Sequence, residues 1–513
     1  MLDGIKSLVI VLALSLTVFA LARPICLKFM TDADFTRRRN VWIVLTSSAF
    51  LAPTIWIFAG IAVPVIYWAG SVDRHPSALY LMLLLTAPFA RVPIPLPLVN
   101  QLFELTPYRI LALALLVPAA LRIMRRGDSE RRGLVKADFF VLAFGLLQLV
   151  VNFPYTSITN TARNAVLYLI DTYVLYYVFS RATAERVAFR DTLACLWLCC
   201  AVLVPVVIFE GAKSWLLYPN VPIRWGNLEI QSYITRDGIL RAQGPAGHSL
   251  TMGILLATAF GTWLYLGGYQ SKRVRWVVDA AIWAGLIATY SRGPWLVAAV
   301  VFAFYTLLSP AGRRHIVGTS VLVALTTAAL SLTTFGARLI DLLPFIGTKE
   351  QGNVDYRQQL AEVSWRLIKQ NPFFGDIFAA RYMEELRQGQ GIIDLVNTYA
   401  SMAVFYGLVG ATLFVLCFAY PAFRSLVETI TSWHENEDNS NLGAVVVSCM
   451  VGVLIMMATT SFIGAFEQLA WVIAGLCSAY PALVTARSGL DPATPRGAVL
   501  AEAISSSRRH VAR

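Results

Sequence analysis

Charge is scarce in this chain. Of its 513 residues only 14% are Asp, Glu, Lys or Arg, whereas 57% are hydrophobic. That ratio excludes a soluble globular protein of this length, whose folded exterior needs far more polar surface. Two-residue alternation of apolar and polar positions is missing too, which excludes a membrane β-barrel. No phosphate loop and no dinucleotide fingerprint occur, so nucleotide hydrolysis has no support. The seven cysteines form no metal-ligand spacing, and all but Cys26 fall in apolar segments. They read as small packing residues, with no disulfide framework.

What the chain has in abundance is apolar runs. A bilayer span needs about 20 mostly apolar residues, because a helix rises about 1.5 Å per residue through about 30 Å of hydrocarbon. Residues 5–22, 111–121, 297–308 and 444–458 are the nearly uncharged hearts of four such runs, and more recur from end to end. The first run lacks a convincing cleavage site and is read as a first helix. The expected fold is all-α, a polytopic transmembrane bundle of about 12–15 helices with a large outer loop containing an amphipathic helix.

The net charge of +12 would suggest nucleic acid in a soluble protein. Here the cations sit in short loops between spans, where they fix orientation, and no nucleic-acid partner is expected. The anchor is the basic loop 122–136, taken as cytoplasmic. Counting spans from it places 37–39, 181–190, 272–275, 313–314 and the tail on the same side. Residues 79–90 and 109–121 are expected to form two spans joined outside by the Pro-rich turn 92–107. Residues 35–70 should form two short spans meeting near Pro53. The divisions that follow are N-terminal helices 1–137, central helices 138–334, an outer loop 335–395, C-terminal helices 396–486 and a disordered cytoplasmic tail 487–513.

Two loops, 211–247 and 335–395, break the pattern of tight connections, and both fall outside. Long outer loops are exempt from the charge rule, so their cations need another explanation. Within the second, residues 355–370 read as an amphipathic helix with Tyr356, Leu360, Val363 and Leu367 on one face, stopped by Asn371-Pro372. It is either a lid or a surface helix that merely packs.

The chemistry concentrates in few residues. Asp32 and Asp34 have the spacing by which nucleotide-sugar transferases hold a metal, but they stand in a basic loop with no other acidic support. His248 is the one histidine at an outer boundary, and no second His or Cys is spaced to share a metal with it. Arg292, in Tyr290-Ser-Arg-Gly293, has almost no loop to hold it in water. Arg241, in Leu240-Arg-Ala-Gln-Gly244, stands just before a span. Each alone could be a snorkelling helix end. Two on one face suit a shared anion site, since the planar guanidinium fork gives a diphosphate two parallel charge-assisted hydrogen bonds.

From Arg241 to Gly410 the chain resembles the O-antigen ligase and O-antigen polymerase superfamily of bacterial envelopes. Four pieces carry the resemblance: Arg241-Ala-Gln-Gly244, Ser291-Arg-Gly293, Asn371-Pro-Phe-Phe-Gly375, and Asn397-Thr-Tyr399 leading to Gly407-Leu-Val-Gly410. The resemblance implies a metal-independent glycosyltransferase without cofactor, multi-pass in the bacterial inner membrane, with its active face periplasmic. Its donor would be an undecaprenyl-diphosphate-linked glycan. Membrane lipids, a flippase and a chain-length regulator would be its further partners. Arg241 and Arg292 would hold the diphosphate, with Asp394 or His248 as base. Asn397 and Tyr399 would orient and stack on sugar, with capping and interfacial anchoring as the alternatives. Arg224, Arg357 and Arg366 are the further candidate substrate contacts. One departure bears on mechanism, because Val396 stands where ligases of the family usually have His. Polymerase is therefore the first reading, ligase the second, and a transporter or flippase for the same glycan the third.

Overall fold

The computed structural model describes residues 2–95, 101–125, 136–227, 235–236, 238–313, 351–387, 395–432 and 436–488. The end of the expected central helices, 314–334, and the tail beyond 488 lie outside them.

The chain opens with three helices, α1 (Leu2–Cys26), α2 (Asp32–Leu51) and α3 (Ile55–Val72). Thr31 caps α2 by accepting from the Asp34 N–H, and Thr54 caps α3 by accepting from Ile57. Between them Ala52-Pro53-Thr54 cannot continue a helix, so the expected break near Pro53 is where it was read. The short α4 (Pro76–Leu83) follows, and then α5 (Pro107–Arg125), which contains one wide turn at Ala112–Leu116. Helix α6 is Lys136–Asn152, and α7 covers 158–182 with a second wide turn at Leu169–Tyr173. After them come α8 (Arg186–Ala201), α9 (Val204–Lys213), α10 (Ser249–Leu266), α11 (Lys272–Ala288) and α12 (Arg292–Leu308). The loop helix is α13 (Gln351–Gln370), and α14 (Thr398–Thr431), α15 (Glu437–Thr459) and α16 (Ala465–Ser488) close the bundle.

Among the described residues nine helices are long and apolar enough to cross a membrane, with Arg292–Leu308 a shorter apolar one. This is an all-α polytopic architecture, as expected. Its centre is α10, where every residue of Ser249–Leu266 except Leu250 is buried. In a bilayer that leaves α10 almost no lipid contact, and α8, α12 and α15 pack around it.

One expected span fails. Residues 79–90 do not form one continuous helix: α4 ends at Leu83, and the chain continues irregularly through Arg91. Pro88 explains the stop, and neighbours satisfy the freed backbone. Thr46 donates to the Thr86 carbonyl at 3.1 Å, and Phe89 N–H donates to the Pro245 carbonyl at 3.0 Å. The segment is buried among helices rather than facing lipid. The Pro-rich turn after it closes with the two-residue strands β1 (Val92–Pro93) and β2 (Glu104–Leu105).

The amphipathic reading of α13 holds. Leu360 and Leu367 are buried in a small cluster with Met383, Leu386, Leu395 and Val404, and Tyr356 and Val363 pack against it. The chain after Asn371-Pro372 then does something the pattern did not reveal. Helix α14 is interrupted at Gly407, where φ is 67° and ψ is −174°. The amide groups of Leu408 and Val409 are released, and they donate to the carbonyls of Pro372 at 2.8 Å and Phe373 at 3.3 Å. The Val404 carbonyl accepts from Asp376 N–H at 2.9 Å. The loop thus completes the backbone bonding of the broken helix.

Only glycine fits this junction. A Cβ on Gly407 would lie 2.2 Å from the carbonyl of Phe373, and one on Gly375 (φ 68°) would lie 2.5 Å from the Gly407 nitrogen. Both backbones are also in the left-handed region, which a side chain disfavours. Gly407→Ala is expected to lower thermal stability by about 2 kcal/mol or more. It should also expose 372–387 to protease. An unchanged melting curve and digestion pattern would show that the junction is dispensable.

Candidate functional site

Three of the sequence pieces meet at one end of the bundle, where α10, α12, α14 and α16 all begin. His248 caps α10, Ser291 precedes α12 and Asn397 caps α14. The segment after α15 runs across these starts. The Thr460 carbonyl accepts from Thr398 Oγ1 at 2.7 Å, and the Ile463 carbonyl accepts from Thr251 Oγ1 at 3.0 Å. Gly293 lies beside Met456 and Thr459 at the end of α15. Helix starts carry unpaired N–H groups and the positive end of the helix dipole, so their convergence favours an anion here.

Arg241 and Arg292 are brought together. Strands β3 (Thr235–Arg236) and β4 (Ile239–Leu240) form a tight hairpin that delivers Arg241. Its Nη2 donates to Ser291 Oγ at 2.8 Å, and Ser291 is the residue next to Arg292. The Ser291 hydroxyl in turn donates to the Thr289 carbonyl at 2.9 Å, and Ala242 N–H donates to the Ala288 carbonyl at 3.2 Å. The reversal between α11 and α12 is tight enough to hold Tyr290 in the left-handed region, at φ 47°. Such a conformation costs a non-glycine residue about 1–3 kcal/mol and tends to persist at functional sites.

What fixes Arg241 was not visible in the sequence. Glu210, near the end of α9, is fully buried. Its Oε1 accepts from Leu217 N–H at 3.0 Å, and its Oε2 accepts from Gln243 N–H at 3.1 Å and Gly244 N–H at 2.8 Å. One carboxylate therefore ties down both the chain leaving α9 and the loop that bears Arg241. Beside it, the Gln243 Nε2 and Ser249 Oγ atoms are buried without a hydrogen-bond partner among the described residues. Orphaned polar groups next to an arginine pair suit a hydroxyl-rich ligand.

The remaining candidates divide. His248 belongs to this end, with its Nδ1 accepting from Leu250 N–H at 3.2 Å. Asn397 is a cap, its Oδ1 accepting from Ala400 N–H at 3.1 Å. The Tyr399 hydroxyl donates to the Leu454 carbonyl at 2.9 Å, and its ring packs edge-on to Phe414, so the residue ties α14 to α15. Arg224 donates to the carbonyls of Ala49 and Phe50, closing the end of α2. Arg357 and Arg366 are exposed on α13. Asp394 lies outside the described residues. Val396 is in the left-handed region at φ 47°, where a β-branched residue is a marked outlier. The Asp32–Asp34 pair is taken up by cations, with Asp32 bonded to Arg23 and Asp34 to Arg37. The mid-span Asp171 is likewise paired with Arg109 at 2.8 Å.

Fold and site together define a multi-pass helical membrane protein with a cationic site at one end of its bundle. Residues 277–415 match the family described as O-antigen ligase. The match runs from α11 through the loop helix into α14, and it bears out the resemblance to the superfamily of O-antigen ligases and polymerases. No curated protein matches the chain.

Glu210→Gln replaces one acceptor oxygen by an amide donor, so at least one of three buried N–H groups loses its partner. The expected loss is about 1–3 kcal/mol of stability, read as a lower melting temperature of the purified protein. If the variant melts with the wild type, Glu210 does not hold the Arg241 loop.

Proposed function

We propose that the protein is a glycan polymerase, extending an exopolysaccharide or O-antigen-like chain from undecaprenyl-diphosphate-linked repeat units at the periplasmic face of the inner membrane. The observation that supports the reading is the Arg241–Ser291 hydrogen bond, which holds Arg241 against the residue just before Arg292, where several helices begin. As the acceptor hydroxyl attacks the anomeric carbon, the bond from that carbon to the diphosphate breaks and negative charge grows on the departing oxygen. Arg241 and Arg292 would meet that charge, and donors fixed in place before the reaction stabilise the transition state most.

The proton of the acceptor hydroxyl needs a base. In neutral His248, an Nδ1 that accepts from Leu250 leaves the ring proton on Nε2. His248 in that tautomer is a donor towards the diphosphate rather than a base. Asp394 is then the better candidate, two residues before the position where Val396 replaces the usual His. The ligase reading is supported by the description of the matched family, and Val396 speaks against the His-dependent form of it. Of the polar residues within spans that a transporter could use, Asp171 is already paired with Arg109 at 2.8 Å.

Purified protein supplied with a lipid-linked repeat unit should lengthen the glycan unaided. A requirement for lipid A core would make it a ligase, and no new linkage with either acceptor would leave transport. Arg241→Ala and Arg292→Ala should each reduce glycan growth by about 10²–10³-fold, the scale for loss of one transition-state donor. Protein level and membrane insertion should stay normal. Normal polymer from both variants would remove the diphosphate site.

A further inference from the structure

The opposite end of the bundle holds a cavity that the glycan chemistry does not use. It measures about 360 Å³ and is lined by the turn between α3 and α4, by α5 and by the junction of α7 with α8. A water molecule occupies about 30 Å³ of liquid, so the space admits a phosphate group together with the start of its ester.

The walls are built around a buried ion network. Arg38, 1% exposed, bonds both oxygens of Asp73 at 2.7 and 2.9 Å and both oxygens of Asp191 at 2.6 and 2.9 Å. His75 Nδ1 lies 2.7 Å from Asp191, and Arg37 also reaches Asp73 at 3.2 Å. Arg181 is paired with Asp138. The carboxylates of Asp73, Asp138 and Asp191 are therefore already engaged by cations, and Glu185 is the other acid of the lining.

Two lining arginines are placed differently. The Arg122 guanidinium is held by backbone carbonyls alone, Gly70 at 2.9 Å and Pro118 at 3.4 Å, and forms no ion pair among the described residues. Arg74 is exposed at the rim and forms none there either. Neutral carbonyls fix the Arg122 fork without cancelling its charge, so the cavity presents one oriented cation, with Arg74 at its rim and His75 beside it. We propose that this cavity binds a phosphate group, carried by an anionic lipid headgroup or by a soluble phosphate, through Arg74 and Arg122.

The full-length protein in nanodiscs of pure phosphatidylcholine tests this, with inorganic phosphate titrated against chloride at equal ionic strength. A second set of discs contains phosphatidylglycerol. Wild type should melt higher with at least one probe, saturably for phosphate. Arg122→Gln should weaken that response about tenfold, as expected for one charge-assisted contact. Arg74→Gln should do the same from the exposed rim, where folding is not at stake. Arg241→Ala should leave the response intact, which separates this cavity from the diphosphate site at the other end. A response to inorganic phosphate names a soluble ligand, and a response to phosphatidylglycerol alone names a lipid. Equal responses of wild type and both cavity variants, or loss with Arg241→Ala instead, would overturn the proposal.

Discussion

Everything in this molecule is constrained by backbone polar groups that have no water to turn to. Inside a bilayer a helix can be broken only where other parts of the protein supply the missing hydrogen-bond partners. The chain breaks its regular structure at three places near the candidate site, and each is satisfied from a distant part of the sequence. Residues 372–376 complete α14 at Gly407. Glu210 takes the amides of Gln243 and Gly244. The irregular stretch after α4 gives its Phe89 amide to Pro245. These ties let non-helical chain stand at the end of the bundle, and non-helical chain carries Arg241.

The two ends of the bundle manage charge in different ways. At the end proposed as cytoplasmic, cations and acids are matched inside the protein: Arg38 with Asp73 and Asp191, Arg181 with Asp138, Arg186 and Arg190 with Asp438. Removing one member of such a buried pair strands the other, at about 3–5 kcal/mol. These pairs therefore fix where helix ends meet. At the other end Arg241 is bonded to a serine hydroxyl.

Hydropathy made the helical architecture legible, because a span is a local property of about 20 residues. The break at Pro53 and the apolar face of α13 were legible for the same reason. Residues 79–90 misled because they are apolar enough for a span and yet turn irregular after Leu83 and are buried by tertiary contacts, which a local window does not see. The arginine pair was visible as two charges at span edges, although their adjacency depends on Ser291 and on the fold of α10 against α12. Glu210 gave no signal at all: a single acid near the end of an apolar run looks like a helix terminus. Asn397 and Tyr399 carried a readable motif, and the structure shows the motif serving capping and helix–helix attachment.

The sequence pieces Asn371-Pro-Phe-Phe-Gly375 and Gly407-Leu-Val-Gly410, more than thirty residues apart, prove to be the two halves of one joint. That joint also governs the chain just ahead of Asn397. Leu395 is buried in the same cluster as Leu360 and Leu367 of α13 and Val404 of α14. Helix α13 is therefore held to α14 twice, by side chains through this cluster and by backbone through residues 372–376. A helix so attached does not swing freely as a lid. Its position and that of residues 395–397 are set together, so the loop helix acts on the site by placing the segment where the family usually carries His and this chain carries Val396.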